Sequence, residues 1–209
     1  MKKLMILLFL ALTSKAHAQT IEEAIQTTLR QFNPGDRTAM MAAVNRFDLI
    51  AKKWNTDWVS HYYAAYAKTI AGATETDVAK KAQFFNEAEK SLEAAKENGA
   101  DENDEVYALL AMISSNRIGL DPEAWQKHME VYNANLRKAK QLRKENPRIY
   151  YIEGMSKFYT PEAYGGGKKN ALIYFEKAEE YFKNESKNDI RKPYWGQEHN
   201  EAMLKDCSE

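Results

Sequence analysis

The side chains best suited to recognising another molecule are aromatic. The chain has 12 tyrosines and 4 tryptophans, and eight of these 16 side chains fall in two short stretches: Trp58, Tyr62, Tyr63 and Tyr66, then Tyr150, Tyr151, Tyr159 and Tyr164. Such side chains favour interfaces because they bury a large area and keep a polar atom. Neighbouring helical residues point about 100° apart, so each stretch must reach more than one surface. The candidate binding residues are therefore Trp58, Tyr62, Tyr66, Tyr150, Tyr151 and Tyr164. Packing between adjacent helices is the plainer interpretation.

Residues of the types that hold metals or catalyse reactions are few and not in the required patterns. His61, His128 and His199 form no H-E-x-x-H pair or other metal-ligand spacing. Neither a G-x-S-x-G elbow nor an S-x-x-K motif is present. The acidic residues fall on helix faces with lysines at neighbouring turns, as on a solvated surface. The sequence thus predicts no metal, no cofactor and no catalytic residues, and disfavours an enzyme.

A glycine-rich turn near residue 166 resembles a phosphate-binding loop only superficially. The Walker motif requires G-x-x-x-x-G-K-[ST] after a strand, whereas Lys169 stands at the hydroxyl position here and no strand is predicted before it. Glycines also permit positive φ and the close approach of two helices. Gly165, Gly166 and Gly167 are therefore interpreted as a structural turn.

The first 18 residues have the three parts of a cleavable leader. Lys2 and Lys3 precede an apolar run from residue 4 to 12, and Ala16-His17-Ala18 supplies small residues at the cleavage positions. The apolar run is shorter than the roughly 20 residues that span a bilayer, which disfavours the alternative of a retained membrane helix. We therefore predict a signal peptide at 1–18, and a single domain at 19–209 that is periplasmic or secreted, soluble, and without a membrane span.

Charge and cysteine content exclude several classes of partner and fold. The full chain has 30 basic and 30 acidic residues, and three of the basic residues lie in the leader. This balance gives no electrostatic basis for binding nucleic acid or anionic lipid. The single cysteine, Cys207, cannot form an intrachain disulfide. A free thiol is the simpler interpretation, and pairing with another chain is the alternative.

The pattern of apolar residues from 19 onwards predicts helices throughout. Glycine and proline are scarce and lie between segments of helical periodicity, and no alternating run suggests a sheet. Thr20 and Glu23 form a capping-box pattern, and Asp57 is placed to cap another helix. A helix is predicted over 36–54, another over 76–98 with Val78 and Phe85 inward, and a third from 121 to Pro147.

A small–large–small pattern recurs in several of these helices, and small residues at a crossing let two helices approach closely. Its instances are Ala88-x-x-x-Leu92-x-x-Ala95, Ala171-x-x-x-Phe175-x-x-Ala178 and, more weakly, Asn135-x-x-x-Ala139-x-x-Leu142. The pattern matches the second helix of the tetratricopeptide repeat, although the spacing is irregular. We predict an all-α fold of antiparallel helix hairpins stacked as a degenerate tetratricopeptide-like superhelix. A plain helical bundle is the alternative.

Several motifs of the C-terminal half carry a resemblance to a known family. They are Asn146-Pro147-Arg148-Ile149-Tyr150-Tyr151 with Gly154, the run from Tyr159 to Lys168, the helix from Ala171 to Ala178, and Pro193-Tyr194-Trp195-Gly196-Gln197-Glu198 followed by Leu204 and Cys207. The chain resembles exported tetratricopeptide-like proteins of Bacteroidetes-type bacteria over about residues 85–209. More weakly, the glycine turn resembles the helical ligand-binding component of some TRAP-type transporters. The family resemblance implies a helical binding or assembly role and supplies no ligand.

These observations favour binding over catalysis and leave two kinds of ligand open. The leading hypothesis is a scaffold that engages a protein or peptide partner on its concave face, because repeat arrays and excess tyrosine are typical of such surfaces. The alternative is a small-molecule-binding component of envelope transport, with a pocket near Tyr150, Tyr151 and Tyr164.

Overall fold

A computed structural model describes residues 19–186, 189–193 and 195–209. The predicted signal peptide, residues 1–18, lies outside this range. Within it the chain forms nine α-helices and no strand, which confirms the predicted all-α class: α1 Ile21–Gln31, α2 Arg37–Lys53, α3 Trp58–Thr74, α4 Val78–Ala95, α5 Asp104–Leu120, α6 Trp125–Leu142, α7 Pro147–Tyr159, α8 Lys168–Phe182 and α9 Gln197–Ser208. None of these helices is long and apolar enough to cross a membrane.

Short polar side chains fix where most of the helices begin. Thr20 and Glu23 form the predicted capping box at α1, each side chain accepting from the other residue's backbone N–H. Asp57 caps α3 through Val59, as predicted. Further cap side chains accept from the first-turn N–H groups of α2, α4, α5 and α7: Asp36, Asp77, Asn103 and Asn146. These bonds satisfy donors that a helix leaves unpaired at its start.

The helices pack as successive hairpins. The most extensive pairings are α3 with α4, α5 with α6 and α7 with α8, while α1 lies against α2 and α9 closes the array against α8. Contacts of α5 with α3 and α7 join the first helices of successive hairpins. Short connections make the paired helices antiparallel. The stacked-hairpin arrangement is therefore the one predicted from the small–large–small pattern.

Some details depart from the predictions. Helix α6 ends at Leu142, and Pro147 begins α7 at its first position, where proline loses no helical hydrogen bond. Val78, expected to point inward, is 65% exposed because it begins α4. Helix α4 ends at Ala95, three residues before the predicted end.

The core consists of two apolar clusters that meet at two side chains. One cluster runs from α1 through α5 around Phe47, Tyr63 and Phe85. The other joins α5–α9 around Ile149 and Phe175. Met112 and Trp195 pack against both clusters. Helix α5 also contributes buried residues to both clusters, so the two halves are joined through α5, which carries Met112, and through Trp195.

Helix α7 approaches α8 so closely that only glycine fits at position 154. A Cβ built there would lie 2.6 Å from the ring of Phe175, which is itself fully buried and cannot move aside. We expect Gly154→Ala to lower the free energy of unfolding by about 1–3 kcal/mol, the usual range for overpacking. Urea unfolding monitored by circular dichroism measures this change in the free energy of unfolding.

Gly119 provides the matched control, since it is also helical but a Cβ there would meet no atom within 4 Å. Gly119→Ala should stabilise the protein by up to about 1 kcal/mol, because alanine is the better helix former. Equal effects of the two substitutions would contradict the close approach of α7 and α8.

Candidate functional site

A cleft of about 610 Å³ runs along the first helices of three successive hairpins. The C-terminal halves of α3 and α5 and the length of α7 form its walls, and α6 adds one side chain. The stacking of hairpins explains this position, because it places the first helices α3, α5 and α7 side by side on one surface of the array. The volume of the cleft falls within the range of about 300–1,000 Å³ that small-molecule sites occupy.

The lining of the cleft is apolar and aromatic, with a few neutral polar groups. Its large side chains are Tyr66, Ile70, Met112, Ile118, Met129, Tyr151, Ile152, Met155, Tyr159 and Trp195. Its small or polar residues are Pro34, Ala73, Thr74, Ser115, Asn116, Gly119, Ser156, Thr160, Gly196 and His199. None of these residues of the described chain is a lysine, arginine, aspartate or glutamate. The cleft therefore suits a mainly apolar ligand whose charges stay outside.

Trp195 is the centre of an aromatic wall on one side of the cleft. Its ring stacks on Tyr66 with centroids 5.2 Å apart and an interplanar angle of 23°. Tyr151 meets the same ring edge-on at 6.3 Å and meets His199 edge-on at 5.8 Å. The indole Nε1–H donates to the hydroxyl of Tyr62, 2.7 Å away. The rings are thus held in a fixed mutual orientation before any ligand binds.

The chain reaches Trp195 by returning from the last hairpin to the second one. This return segment comprises residues 183–186, 189–193 and 195–196. The carbonyl of Ile190 accepts from the hydroxyl of Tyr63 at 3.0 Å, and Arg191 pairs with both oxygens of Asp57 at 2.9 and 2.6 Å. These bonds fasten the return segment to the start of α3 and so place Trp195 over the cleft.

Behind the aromatic wall lies a buried cluster of charges centred on Arg148. Its guanidinium is fully buried and contacts both carboxylate oxygens of Glu105 and one of Glu185. Arg143 pairs with the same two glutamates at 2.9 Å. The Arg148 guanidinium also lies 5.8 Å from the Trp195 ring centre. The cluster therefore joins α5, α7 and the return segment directly beneath Trp195.

Burial and pairing act in opposite directions on these charges. Burial lowers the pKa of Arg148, but the attraction of Glu105 outweighs it, so the net pKa is raised. Burial raises the pKa of Glu105, and its contacts with Arg148 oppose that shift. Because Arg148 and Glu105 are both desolvated, the cluster is costly to break by removing either of them.

The comparisons with known proteins find a solved structure that is similar over most of the chain. No protein-family model matches the chain, and no curated protein matches it significantly. Among solved structures, the chain is similar to the HusA haemophore from Porphyromonas gingivalis. The two share 27% sequence identity with a TM-score of 0.73, and the match covers 90% of each chain. The neighbour comes from a Bacteroidetes organism, in agreement with the coarser part of the resemblance seen in the sequence. Membership of the tetratricopeptide family stays a prediction.

The predicted protein or peptide partner is wrong in the light of this neighbour. A haemophore is a carrier of haem, so the similarity points to a small molecule and gives no support to a protein partner. The physical reason for the error is the location of the aromatic residues. Several pack into the core or line the cleft, where they do not form an extended surface.

The six aromatic candidates divide into three groups. Tyr66 and Tyr151 line the cleft. Tyr62 is fully buried behind Trp195, and Trp58 packs edge-on against Tyr62 at 6.1 Å. Tyr150 and Tyr164 lie elsewhere: the first packs on Tyr181 at 5.3 Å, and the second is 81% exposed beside the glycine turn.

The three turn glycines have geometries that other residues rarely adopt. Gly165 and Gly167 have φ of 78° and 89°. A Cβ at Gly166 would lie 2.0 Å from the carbonyl oxygen of Thr160. The turn connects α7 to α8 beside the cleft residue Thr160, and its three glycines are not among the lining residues.

The sequence did not single out Met112, Met129, Met155, Trp195 or His199 as site residues. The methionines have the helical spacing of ordinary core residues, and their meeting in space depends on how the hairpins stack. Trp195 and His199 follow the last hairpin and reach the cleft only through the return segment. The sequence analysis pointed to this region only through the Pro193 to Glu198 motif, which it noted as part of the family resemblance. Within the described residues no three histidine, cysteine, aspartate or glutamate side chains are grouped to bind a metal ion.

Removing the buried guanidinium should strongly destabilise the protein. We expect Arg148→Met to lower the free energy of unfolding by about 3–5 kcal/mol, because Glu105 is then left buried beside fewer cations. Adding Glu105→Leu should restore more than half of that loss, since the uncompensated carboxylate is gone. Urea unfolding of the single and double variants measures both effects.

Arg191→Met is the control, because its ion pair with Asp57 is partly exposed. That substitution should lower the free energy of unfolding by no more than about 1 kcal/mol. An effect of Arg148→Met as small as this would show that the buried cluster does not hold the two halves together.

Proposed function

We propose that the protein binds haem, or a closely similar flat porphyrin, in the cleft between α3, α5 and α7. The observation that carries the proposal is the uncharged cleft walled by stacked aromatic rings and methionines. Such a lining suits a large flat ring system, because aromatic faces stack on it and methionines adapt to its outline. The 27% identity to a haemophore over 90% of both chains supports the same ligand.

The residues present fit the chemistry of haem. The porphyrin face is apolar and matches Trp195, Tyr66 and Ile70, while the neutral polar groups near Asn116 and Thr160 can meet water at the rim. No cation lines the described cleft, so the two propionates would extend to solvent. In this arrangement the apolar ring provides the binding energy and the carboxylates set only the orientation.

The proposed role is carriage without chemical conversion. We place the protein outside the cytoplasm, in the periplasm or secreted, because the leader at 1–18 predicts export. The lining side chains are neutral and suit holding a ligand more than transferring protons. Uptake from the surroundings and release to another component of haem transport is the activity that such a carrier performs.

Blocking the cleft tests the proposal without disturbing the core. Gly119 faces open space at the cleft, so Gly119→Trp adds a large ring there without a clash at its Cβ. We expect at least a tenfold loss of haem affinity, or about 1.4 kcal/mol, measured by quenching of tryptophan fluorescence or by difference absorption spectra.

Ile173→Trp is the matched control. Ile173 is 65% exposed on α8 and is not among the lining residues, so haem affinity should stay unchanged. Binding of haem to wild-type and Gly119→Trp proteins with equal affinity would place the ligand elsewhere. Failure of the wild-type protein to bind haem at all would refute the proposed function.

The uncharged lining also predicts a weak dependence of affinity on salt. We expect the Kd for haem to change by less than about threefold between roughly 50 and 500 mM sodium chloride, because there is no lysine or arginine clamp whose attraction salt would screen. Titrations of the protein with haem at several salt concentrations measure this dependence. Weakening by tenfold or more would indicate that cations hold the propionates.

A further inference from the structure

Tyr62 supports the aromatic wall from behind and is not among the described residues that line the cleft. Its side chain is fully buried in α3. The ring meets Trp58 edge-on at 6.1 Å and Tyr63 edge-on at 5.5 Å, so aromatic neighbours pack against it. A side chain packed in this way has little freedom to change its rotamer. Tyr62 therefore holds its hydroxyl at a fixed position beneath the wall.

The side chain that bonds to this hydroxyl is Trp195, which lines the cleft. The indole is half-buried, and its Nε1–H donates to the Tyr62 oxygen at 2.7 Å. That distance is at the short end of the range for N–H···O hydrogen bonds. The bond joins two residues that are 133 positions apart in the sequence. It therefore ties a side chain of the return segment to the rigid interior of α3.

The other contacts of the indole are poor at fixing its orientation. Tyr66 stacks on the ring, Tyr151 meets it edge-on, and the Arg148 guanidinium lies 5.8 Å from its centre. Turning the indole by about 180° about its Cβ–Cγ bond would still leave π surface against these groups, since that torsion is broad and roughly twofold. A hydrogen bond from one ring atom distinguishes the two orientations, because only one of them directs Nε1–H at Tyr62.

We propose that Tyr62 is a positioning residue, whose hydroxyl selects the orientation of Trp195 that forms the wall and so presets the cleft for a flat ligand. Ordering a large side chain during binding costs affinity, and a ring that is already held in place avoids this cost. The effect on the ligand rests on the proposed function, since it requires haem in the cleft. The orientation of the indole in the ligand-free protein does not depend on that function.

The first measurement therefore uses the ligand-free protein. The tryptophans are labelled as fluorotryptophan, and the fluorine NMR resonance that disappears in Trp195→Phe belongs to Trp195. We expect a single sharp Trp195 resonance in the wild type. In Tyr62→Phe it should broaden or split, because the released indole samples both orientations. A Trp195 resonance that stays single and sharp in Tyr62→Phe would overturn the proposal, by showing that the other ring contacts fix the indole.

The second measurement tests whether the orientation matters to the ligand. We expect Tyr62→Phe to weaken haem binding about three- to tenfold, the usual cost of ordering one large side chain on binding. Difference absorption titrations measure the Kd. In a Trp195→Phe background, which has no indole N–H to hold, adding Tyr62→Phe should change the Kd by less than about twofold. Equal losses in the two backgrounds would overturn the proposal, because Tyr62 would then act on the fold and not through Trp195.

Thr69→Val controls for the loss of a buried hydroxyl from the same helix. Thr69 is fully buried in α3, and its hydroxyl donates to the carbonyl of Ala65 at 2.8 Å. Valine has nearly the same shape, so the fold should persist. We expect a single sharp Trp195 resonance and a Kd for haem within about twofold of wild type. A loss of affinity as large as that of Tyr62→Phe would contradict a specific role of Tyr62.

Failure of the positioning role and failure of the proposed function give different results. Normal haem binding by the wild type, with a sharp Trp195 resonance in Tyr62→Phe, would refute the positioning role alone. Failure of the wild type to bind haem would refute the proposed function and the effect of Tyr62 on the ligand. The fluorine spectra of the ligand-free proteins would still decide whether Tyr62 orients Trp195.

Discussion

The buried contact of Arg148 with Glu105 and Glu185 is the interaction on which the rest of the architecture depends. It links α5, α7 and the return segment at the point where two apolar clusters meet. Apolar packing alone is non-directional and would allow the hairpins to slide. A desolvated guanidinium requires its partners at fixed positions, because leaving either carboxylate unpaired costs several kcal/mol. The cluster therefore sets the register of the two hairpins, and that register sets the width of the cleft between them.

One side of the cleft is formed by residues that belong to no hairpin. The return segment brings Trp195 to Tyr62 across 133 residues of sequence, and Asn200 of α9 donates to the carbonyl of Phe175 at 3.1 Å. A repeat array by itself would leave the surface of α3, α5 and α7 as an open groove. Adding an aromatic wall on one side converts the groove into a cleft with a defined depth. The C-terminal part of the chain thus makes a scaffold suited to extended partners into one suited to a compact ligand.

Local patterns predicted the fold well and the site only in part. The capping box at Thr20, the cap at Asp57 and the small–large–small helices depend on residues a few positions apart, and the structure confirms them. Tyr66 and Tyr151 were selected for their residue type and do line the cleft. Tyr62 was selected for the same reason and is buried, because which side of α3 faces the core is decided by α4 and the return segment. The meeting of Met112, Met155 and His199 depends entirely on stacking between hairpins, for which the sequence carries no local signal. The preference for a protein partner failed for the same reason, since it assumed an open concave face.

Two magnitudes set how strongly an apolar cleft of this kind could hold the proposed porphyrin. Burying apolar surface contributes about 2.5 kcal/mol for each 100 Å², while immobilising a ligand costs about 4–15 kcal/mol. An apolar cleft without charges would therefore hold the proposed porphyrin with moderate strength and little dependence on its carboxylates. In the proposed carrier, retention would therefore rest on the apolar walls, which would hold any flat macrocycle.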